Sequence, residues 1–239
     1  MNIEPLHPWN LTPTEAVKVQ RDLRERIRIE PFSGEPELIA GADISFNLYS
    51  STVYAAFVVL DFSSLEVIAR ASAVVEVHFP YIPGLLSFRE IPPLIQAWEK
   101  LEVEPDVVVF DGQGIAHPRR LGIATHMGLL IDKPTMGCAK SLLTGRFGEL
   151  EEAAGATADL VDRGETVGAA LRTKNKTKPV FISPGHRMDI ESAVRIIQKT
   201  VRGYRIPEPT RQAHLYVNEL RREQILARPS VDRRPPSNV

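Results

Sequence analysis

The chain has 239 residues, 43% hydrophobic and 25% charged, a balance that excludes a disordered or collagen-like protein. Its longest apolar run, Val53 to Leu60, is far short of the roughly 20 residues that cross a bilayer. The net charge of −1 argues against binding a polyanion by bulk charge alone.

Taken in chain order, Thr12 to Glu15 reads as a helix start: Thr12 caps, Pro13 takes the first helical position, and Glu15 completes a capping box. Ala16, Val19, Leu23 and Ile27 continue it at helical spacing, and Pro31 to Pro36 ends it. Three strand-like runs follow, Leu38 to Phe46, Val53 to Phe62 and Glu66 to Val77. Their short connections predict antiparallel neighbours. A Pro- and Gly-rich loop leads to a helix over Leu86 to Leu101, whose start is unusually rich in proline at Pro92 and Pro93. Asp106 to Phe110 has the form of a strand buried on both faces. A helix from Pro118 to Leu130, a short strand Thr135 to Ala139, and strands at Thr166 to Arg172 and Val180 to Ser183 come next. Helices at Asp189 to Gln198 and Thr210 to Ile225 close the series.

This order predicts an α/β fold, a central mixed β-sheet flanked by α-helices, in one domain over residues 1–226. A tail over 227–239 is expected to be disordered, because Arg228 to Val239 holds three prolines and no apolar periodicity. The N-terminus lacks the basic and apolar segments of a secretory signal, and the single cysteine, Cys138, sits among small apolar neighbours. Both features fit a cytoplasmic protein. Residues 187–239 hold eleven Lys/Arg against six Asp/Glu. Such a basic flank suits a phosphate backbone beside an acidic centre, and a solvated basic helix gives the same asymmetry.

Three carboxylates carry the chemistry. Alternation puts Asp43 on the strand face shared by Ile39, Gly41 and Ser45, opposite Ala40 and Ala42. Asp111 directly follows the strand Val107 to Phe110, at the end where open α/β sheets place their ligands. Glu90 lies on the helix between them. Each alone reads equally as a hydrogen-bonded or solvated acid. Together they can converge as oxygen ligands for a hard divalent cation acting on a phosphodiester. Zinc-ligand spacing, the dinucleotide fingerprint, the P-loop and the nucleophile elbow are all missing from the sequence. Tyr81, between Pro80 and Pro83, is an aromatic on a stiff support, suited either to packing in its turn or to wedging into a base stack.

Three segments, Pro80 to Glu90, Asp111 to Arg120 with Gly122 to His126, and Pro134 to Leu142, closely resemble the endonuclease V family. Ser183 to His186 and the stretch around His214 are similar to its C-terminal blocks, so the likeness spans roughly Ala40 to Leu220. The resemblance implies an RNase H-like fold and a repair nuclease acting on deoxyinosine. It implies Mg²⁺-dependent hydrolysis, with Mn²⁺ able to substitute, of the second phosphodiester 3′ to the lesion, leaving 3′-hydroxyl and 5′-phosphate ends.

The resemblance makes Asp43 and Asp111 direct metal ligands, Glu90 and His214 further members of the acidic site, and Lys140 the cation at the scissile phosphate. It makes Tyr81 the wedge of the DNA-binding loop Pro80, Tyr81, Ile82 and Pro83, and Gly84, Leu85, Leu86 and Gly112 the pocket for the extruded hypoxanthine. His117, Arg119, Arg120 and His126 are expected either at phosphate or holding the loop and the helix start. The basic hairpin tip Arg172 to Lys178 suits backbone contact and plain solvation equally. The expected partner is DNA bearing deoxyinosine or another deaminated base, with inosine RNA and a lesion-binding protein that does not cut as alternatives. A monomer without membrane attachment is expected.

Overall fold

A computed structural model of the chain describes residues 3–47 and 50–227, the last three by backbone alone. Helix α1, Pro13–Arg24, starts as its sequence predicts, with the Glu15 side chain accepting from the Thr12 N–H at 2.7 Å and the Thr12 hydroxyl accepting from the Glu15 N–H at 3.3 Å. Strands β1 (Leu38–Phe46), β2 (Thr52–Asp61) and β3 (Val67–Glu76) form an antiparallel meander. Helix α2 (Leu86–Glu99) then crosses over to β4 (Val107–Phe110), which pairs with β1 in parallel. Helix α3 (Ile123–Ile131) leads to β5 (Thr135–Ala139), parallel to β4. Strands β6 (Thr157–Asp162), β7 (Glu165–Leu171) and β8 (Val180–Pro184) are antiparallel, and α4 (Ile190–Lys199) and α5 (Glu208–Ala227) follow. Among the described residues this is one eight-stranded mixed sheet, ordered β3-β2-β1-β4-β5-β8-β7-β6, an RNase H-like arrangement.

The sheet is buried on both faces because its central strands are apolar on both. Ala40, Ala42, Phe57, Val108 and Phe110 pack against Ile91, Leu94 and Trp98 of α2 and Ala124 and Met127 of α3. Ile39, Val58, Val107, Val109 and Met136 pack against Ile196 and Ile197 of α4 and Ala213 of α5. Burying each large side chain contributes about 1.5–3 kcal/mol. Pro92 and Pro93 lie inside α2, where they leave the carbonyls of Phe88 and Arg89 without their helical donors.

Two local expectations are corrected. The helix expected from Pro118 begins only at Ile123, because Arg120 adopts a φ of +61° and the preceding segment is tied down by tertiary bonds. Ile115 N–H donates to the Pro184 carbonyl at 2.7 Å and Gly122 N–H to the Gly114 carbonyl at 3.0 Å. Strand β6 was not expected at all; its Thr157, Asp159 and Asp162 dilute the apolar pattern, and pairing with β7 creates it. Helix α5 runs through Ala227, and the tail expected from Arg228 lies outside the described residues.

Candidate active site

Ala42 sits opposite Phe110 in the β1–β4 ladder, so the next residues, Asp43 within β1 and Asp111 just past the end of β4, stand side by side. The Asp111 N–H anchors this register by donating to the Ala42 carbonyl at 3.1 Å. Glu90 of α2 joins them, and all three carboxyl residues line a cavity of about 110 Å³. Burial, reinforced by the charges of Asp43 and Asp111, pushes Glu90 up to about 8. Burial and the Asp43 charge likewise raise Asp111, against the opposing pull of Lys140.

His214 enters from α5. That helix starts hard against β1, where a Cβ on Gly41 would stand 1.8 Å from the Pro209 carbonyl oxygen. Only glycine allows this approach, and it sets His214 Nδ1 2.7 Å from Asp43 Oδ2. A carboxylate oxygen of Asp43, another of Asp111 and a ring nitrogen of His214 all lie within 4.8 Å of one another. Asn218, one turn further along α5, accepts from the Ser45 hydroxyl at 3.0 Å and sets its amide nitrogen 3.3 Å from the His214 ring nitrogens. The Lys140 ammonium pairs with Asp111, and the Arg205 guanidinium fixes the Lys140 carbonyl at 2.6 Å. Clustered carboxylates beside one imidazole form an oxygen-rich donor set that fits a hard divalent cation, and the field that raises Glu90 and Asp111 also attracts a metal ion.

A cleft of about 430 Å³ continues from this cavity, with Glu90 and Asp111 belonging to both. Tyr81, 60% exposed, stands at its rim, and Pro83, Gly84, Leu86, Gly112 and His117 line it. Leu142 and Leu143, both exposed, also line the cleft. At the start of α2, Leu85 provides no side-chain cap and the first turn holds no acid, so the N–H groups beside Leu86 and Ser87 have no capping side chain among the described residues.

The remaining expected loop residues lie elsewhere. Leu85 is buried with Ala16, Phe79 and Phe88, Ile82 packs on the same cluster, and Pro80 is exposed outside the cleft. His117 and Arg119 hold the loop. The Gly84 carbonyl accepts from Gln20 Nε2 at 3.0 Å, His117 Nε2 at 3.1 Å and Arg119 Nη2 at 2.6 Å. Gly84 has a φ of +80°, so its backbone conformation and this three-donor clamp together set the course of the loop after Tyr81. Burial and neighbouring Arg119 lower His117 to about 4, which keeps the ring neutral.

Arg120 is buried and bonds Asp162 at 2.7 Å and Glu165 at 2.9 Å, tying the loop to the β6–β7 turn. His126 is fully buried, 2.8 Å from the His7 ring and 3.1 Å from the Ser87 hydroxyl. At the basic hairpin tip, Arg172 is committed to backbone carbonyls, including that of Leu150 at 3.2 Å. Gln20, Arg205, Asn218, Leu142 and Leu143 escaped sequence reasoning. The adjacent leucines after Lys140 were a readable signal; Gln20, Arg205 and Asn218 offered none, since polar residues on helices and loops are ordinarily solvated.

An RNase H-like sheet with an acidic centre on its neighbouring parallel strands β1 and β4 defines a nuclease architecture. A family profile described as Endonuclease V matches residues 21–215. The chain is 56% identical over 215 residues to endonuclease V of Myxococcus xanthus, covering 90% of this chain and 92% of that one. The crystal structure of endonuclease V from Streptomyces avermitilis superimposes with a TM-score of 0.86 at 41% identity, over 91% of this chain and 96% of that one. The chain belongs to the endonuclease V family. A further similar structure, 26% identical with a TM-score of 0.78 over 88% of this chain and 98% of that one, is Ciona intestinalis endonuclease V in complex with a 24mer DNA containing an inosine followed by a ribo-adenosine.

Proposed function

We propose that this protein is a DNA-repair endonuclease of the cytoplasm that recognises deoxyinosine and hydrolyses the second phosphodiester 3′ to it, leaving 3′-hydroxyl and 5′-phosphate ends. The sharing of Glu90 and Asp111 between the acidic cavity and the cleft under Tyr81 carries this reading, because it joins a place for an extruded base to a place for phosphodiester chemistry. Inosine in the DNA bound by the Ciona relative supports the same substrate.

Asp43, Asp111 and His214, with Glu90 beside them, would hold Mg²⁺ or Mn²⁺. When bound, the ion supplies a lowered water pKa and neutralises charge on the phosphodiester. The protein's own residues do the rest. His214 keeps Asp43 oriented, and Lys140, released from Asp111, offers a point charge to the scissile phosphate. Tyr81 fills the gap left in the base stack, offsetting an unstacking cost of about a few kcal/mol that is least at a weakened pair. The uncapped N–H groups at the start of α2 donate to a base O6, where adenine presents an amino group with no lone pair to accept them.

The test is an end-labelled duplex with one deoxyinosine, incubated with Mg²⁺ or with EDTA, the cut mapped to the nucleotide. A metal-dependent nick one nucleotide beyond the lesion is expected; an intact duplex overturns the reading. A matched inosine RNA belongs in the same experiment, because the Ciona complex carries a ribonucleotide next to its inosine. Preference for that strand assigns the enzyme to RNA. Binding with no cleavage of either strand leaves a lesion-binding protein.

A further inference from the structure

A second concave surface lies on the far side of the Gly84 clamp. Helix α1 and the segment that carries Pro118 and Arg119 enclose a cavity of about 400 Å³ lined by Arg21, Arg24, Arg119 and Arg163, with Glu25 the single carboxylate among its lining residues. Arg21 and Arg24 lie three residues apart on one face of α1, and both are exposed, as is Arg163 in the turn between β6 and β7. Among the described residues neither the Arg21 nor the Arg24 side chain makes an ion pair or a hydrogen bond. Arg163 comes no nearer to a carboxylate than 3.7 Å from Asp162, whose oxygens already hold Arg120 and Thr144.

Arg119 is the exception. Its Nη2 is spent on the Gly84 carbonyl and its Nε on Gln20. Its guanidinium is disfavoured first by burial and then by the charge of Arg21. Four guanidinium groups around one hollow, offset by Glu25 in its lining and by Asp162 beside Arg163, leave an excess of positive charge that attracts an anion. Arginine presents planar paired donors that match a phosphate.

We propose that this cavity is a phosphodiester-binding site, distinct from the acidic centre, that grips the nucleic-acid backbone flanking the lesion. The proposal rests on the nucleic-acid substrate inferred above and extends it to a surface outside the cleft. Arg119 lines this cavity and also binds the Gly84 carbonyl, so a backbone phosphate seated among Arg21, Arg24 and Arg163 lies next to the group that holds Gly84 and, through it, the Tyr81 loop. Backbone contact of this kind carries no sequence information. It fixes position along the duplex and makes affinity depend on salt.

The experiment compares the full chain with its R21A/R24A/R163A variant, leaving Arg119 in place. Duplex binding is followed by fluorescence anisotropy at several salt concentrations, on inosine-containing and undamaged DNA of equal length. Loss of this phosphate contact is expected to flatten the slope of log affinity against log salt by about 1 and to weaken both duplexes alike. Unchanged thermal unfolding shows that the variant folds. Single-turnover incision at saturating enzyme should stay within about twofold of the parent, because the acidic centre is untouched. An unchanged slope and affinity overturn the proposal, as does a loss confined to inosine DNA. Should the parent bind undamaged DNA with the steep slope yet never cut deoxyinosine, the substrate assignment falls while the phosphate site stands.

Discussion

Gly41 of β1 and Pro209 of α5 touch backbone to backbone, leaving room for no side chain at position 41. Their contact is what carries His214 across the sheet to Asp43. Substituting Gly41→Ala therefore lifts the first turn of α5. Overpacking of this kind costs about 1–3 kcal/mol. The expected result is a lowered melting temperature together with weaker Mn²⁺ binding by calorimetry. A destabilised variant with parental metal affinity would show that His214 does not need the close approach.

The acidic centre makes stability depend on pH in a predictable direction. Glu90 has a folded value of about 8 against 4.5 in the unfolded chain. Between these values the folded protein retains a proton that the unfolded chain has released. Its contribution is fully present below pH 4.5 and is lost as pH rises through 8. In EDTA, thermal stability should thus decline between pH 6.5, above which the histidines are neutral folded and unfolded, and pH 8; Mg²⁺ should restore it, and Glu90→Gln should flatten the decline. A parent whose stability does not fall across the window would refute the elevated carboxyl.

Histidines impose the opposite trend on the acid side. His117 lies at about 4 and His126 well below its usual value, both chiefly through burial, and His7 is lowered for the same reason. The unfolded chain takes up protons below about 6.5 that the folded protein refuses, so stability falls as pH drops from there toward 4. Urea unfolding of the Glu90→Gln protein at pH 7 and pH 5 isolates this effect. His126→Gln, which removes one titrating ring, should narrow the difference between the two pH values.

Asp43→Ala and Asp111→Ala are each expected to abolish incision while leaving binding to inosine DNA in Ca²⁺ largely intact. Asn218→Ala acts more gently: it frees the His214 ring, and losing such a supporting contact costs about 10–100-fold in metal affinity. Excess Mn²⁺ should rescue Asn218→Ala and fail to rescue Asp111→Ala. Retained cutting with lost binding would remove these residues from the chemistry.

Tyr81→Ala should separate base capture from hydrolysis. With 2-aminopurine placed beside deoxyinosine, the parent is expected to brighten that probe as the neighbouring base leaves the stack, and the variant to do so several-fold less. Mn²⁺ affinity should be unchanged, since Tyr81 stands at the rim of the cleft and is not among the residues lining the acidic cavity. Equal brightening in both proteins would make Tyr81 a packing residue of its loop.

Much of this molecule was legible along the chain because local rules governed it. The capping box at Thr12 and Glu15, the period-two alternation that set Asp43 opposite Ala40 and Ala42, and the Val-rich run before Asp111 each depend on near neighbours in sequence. Where long-range bonds overrode local preference, sequence reasoning went astray. Pro118 looks like a helix start, but Arg120 is drawn into a left-handed conformation by Asp162 and Glu165, which lie more than 40 residues away.

By itself the sequence determined the mixed α/β order, the kinds of residue able to bind a cation, and the family to which they belong. Only the tertiary structure decided that Asp43, Glu90, Asp111 and His214, drawn from four separate elements, meet at one place, and that Gln20, His117 and Arg119 share one carbonyl at Gly84. The physical reason is range. Capping and alternation act over a few residues, whereas parallel pairing of β1 with β4 and the seating of α5 on Gly41 are settled by packing across the whole sheet.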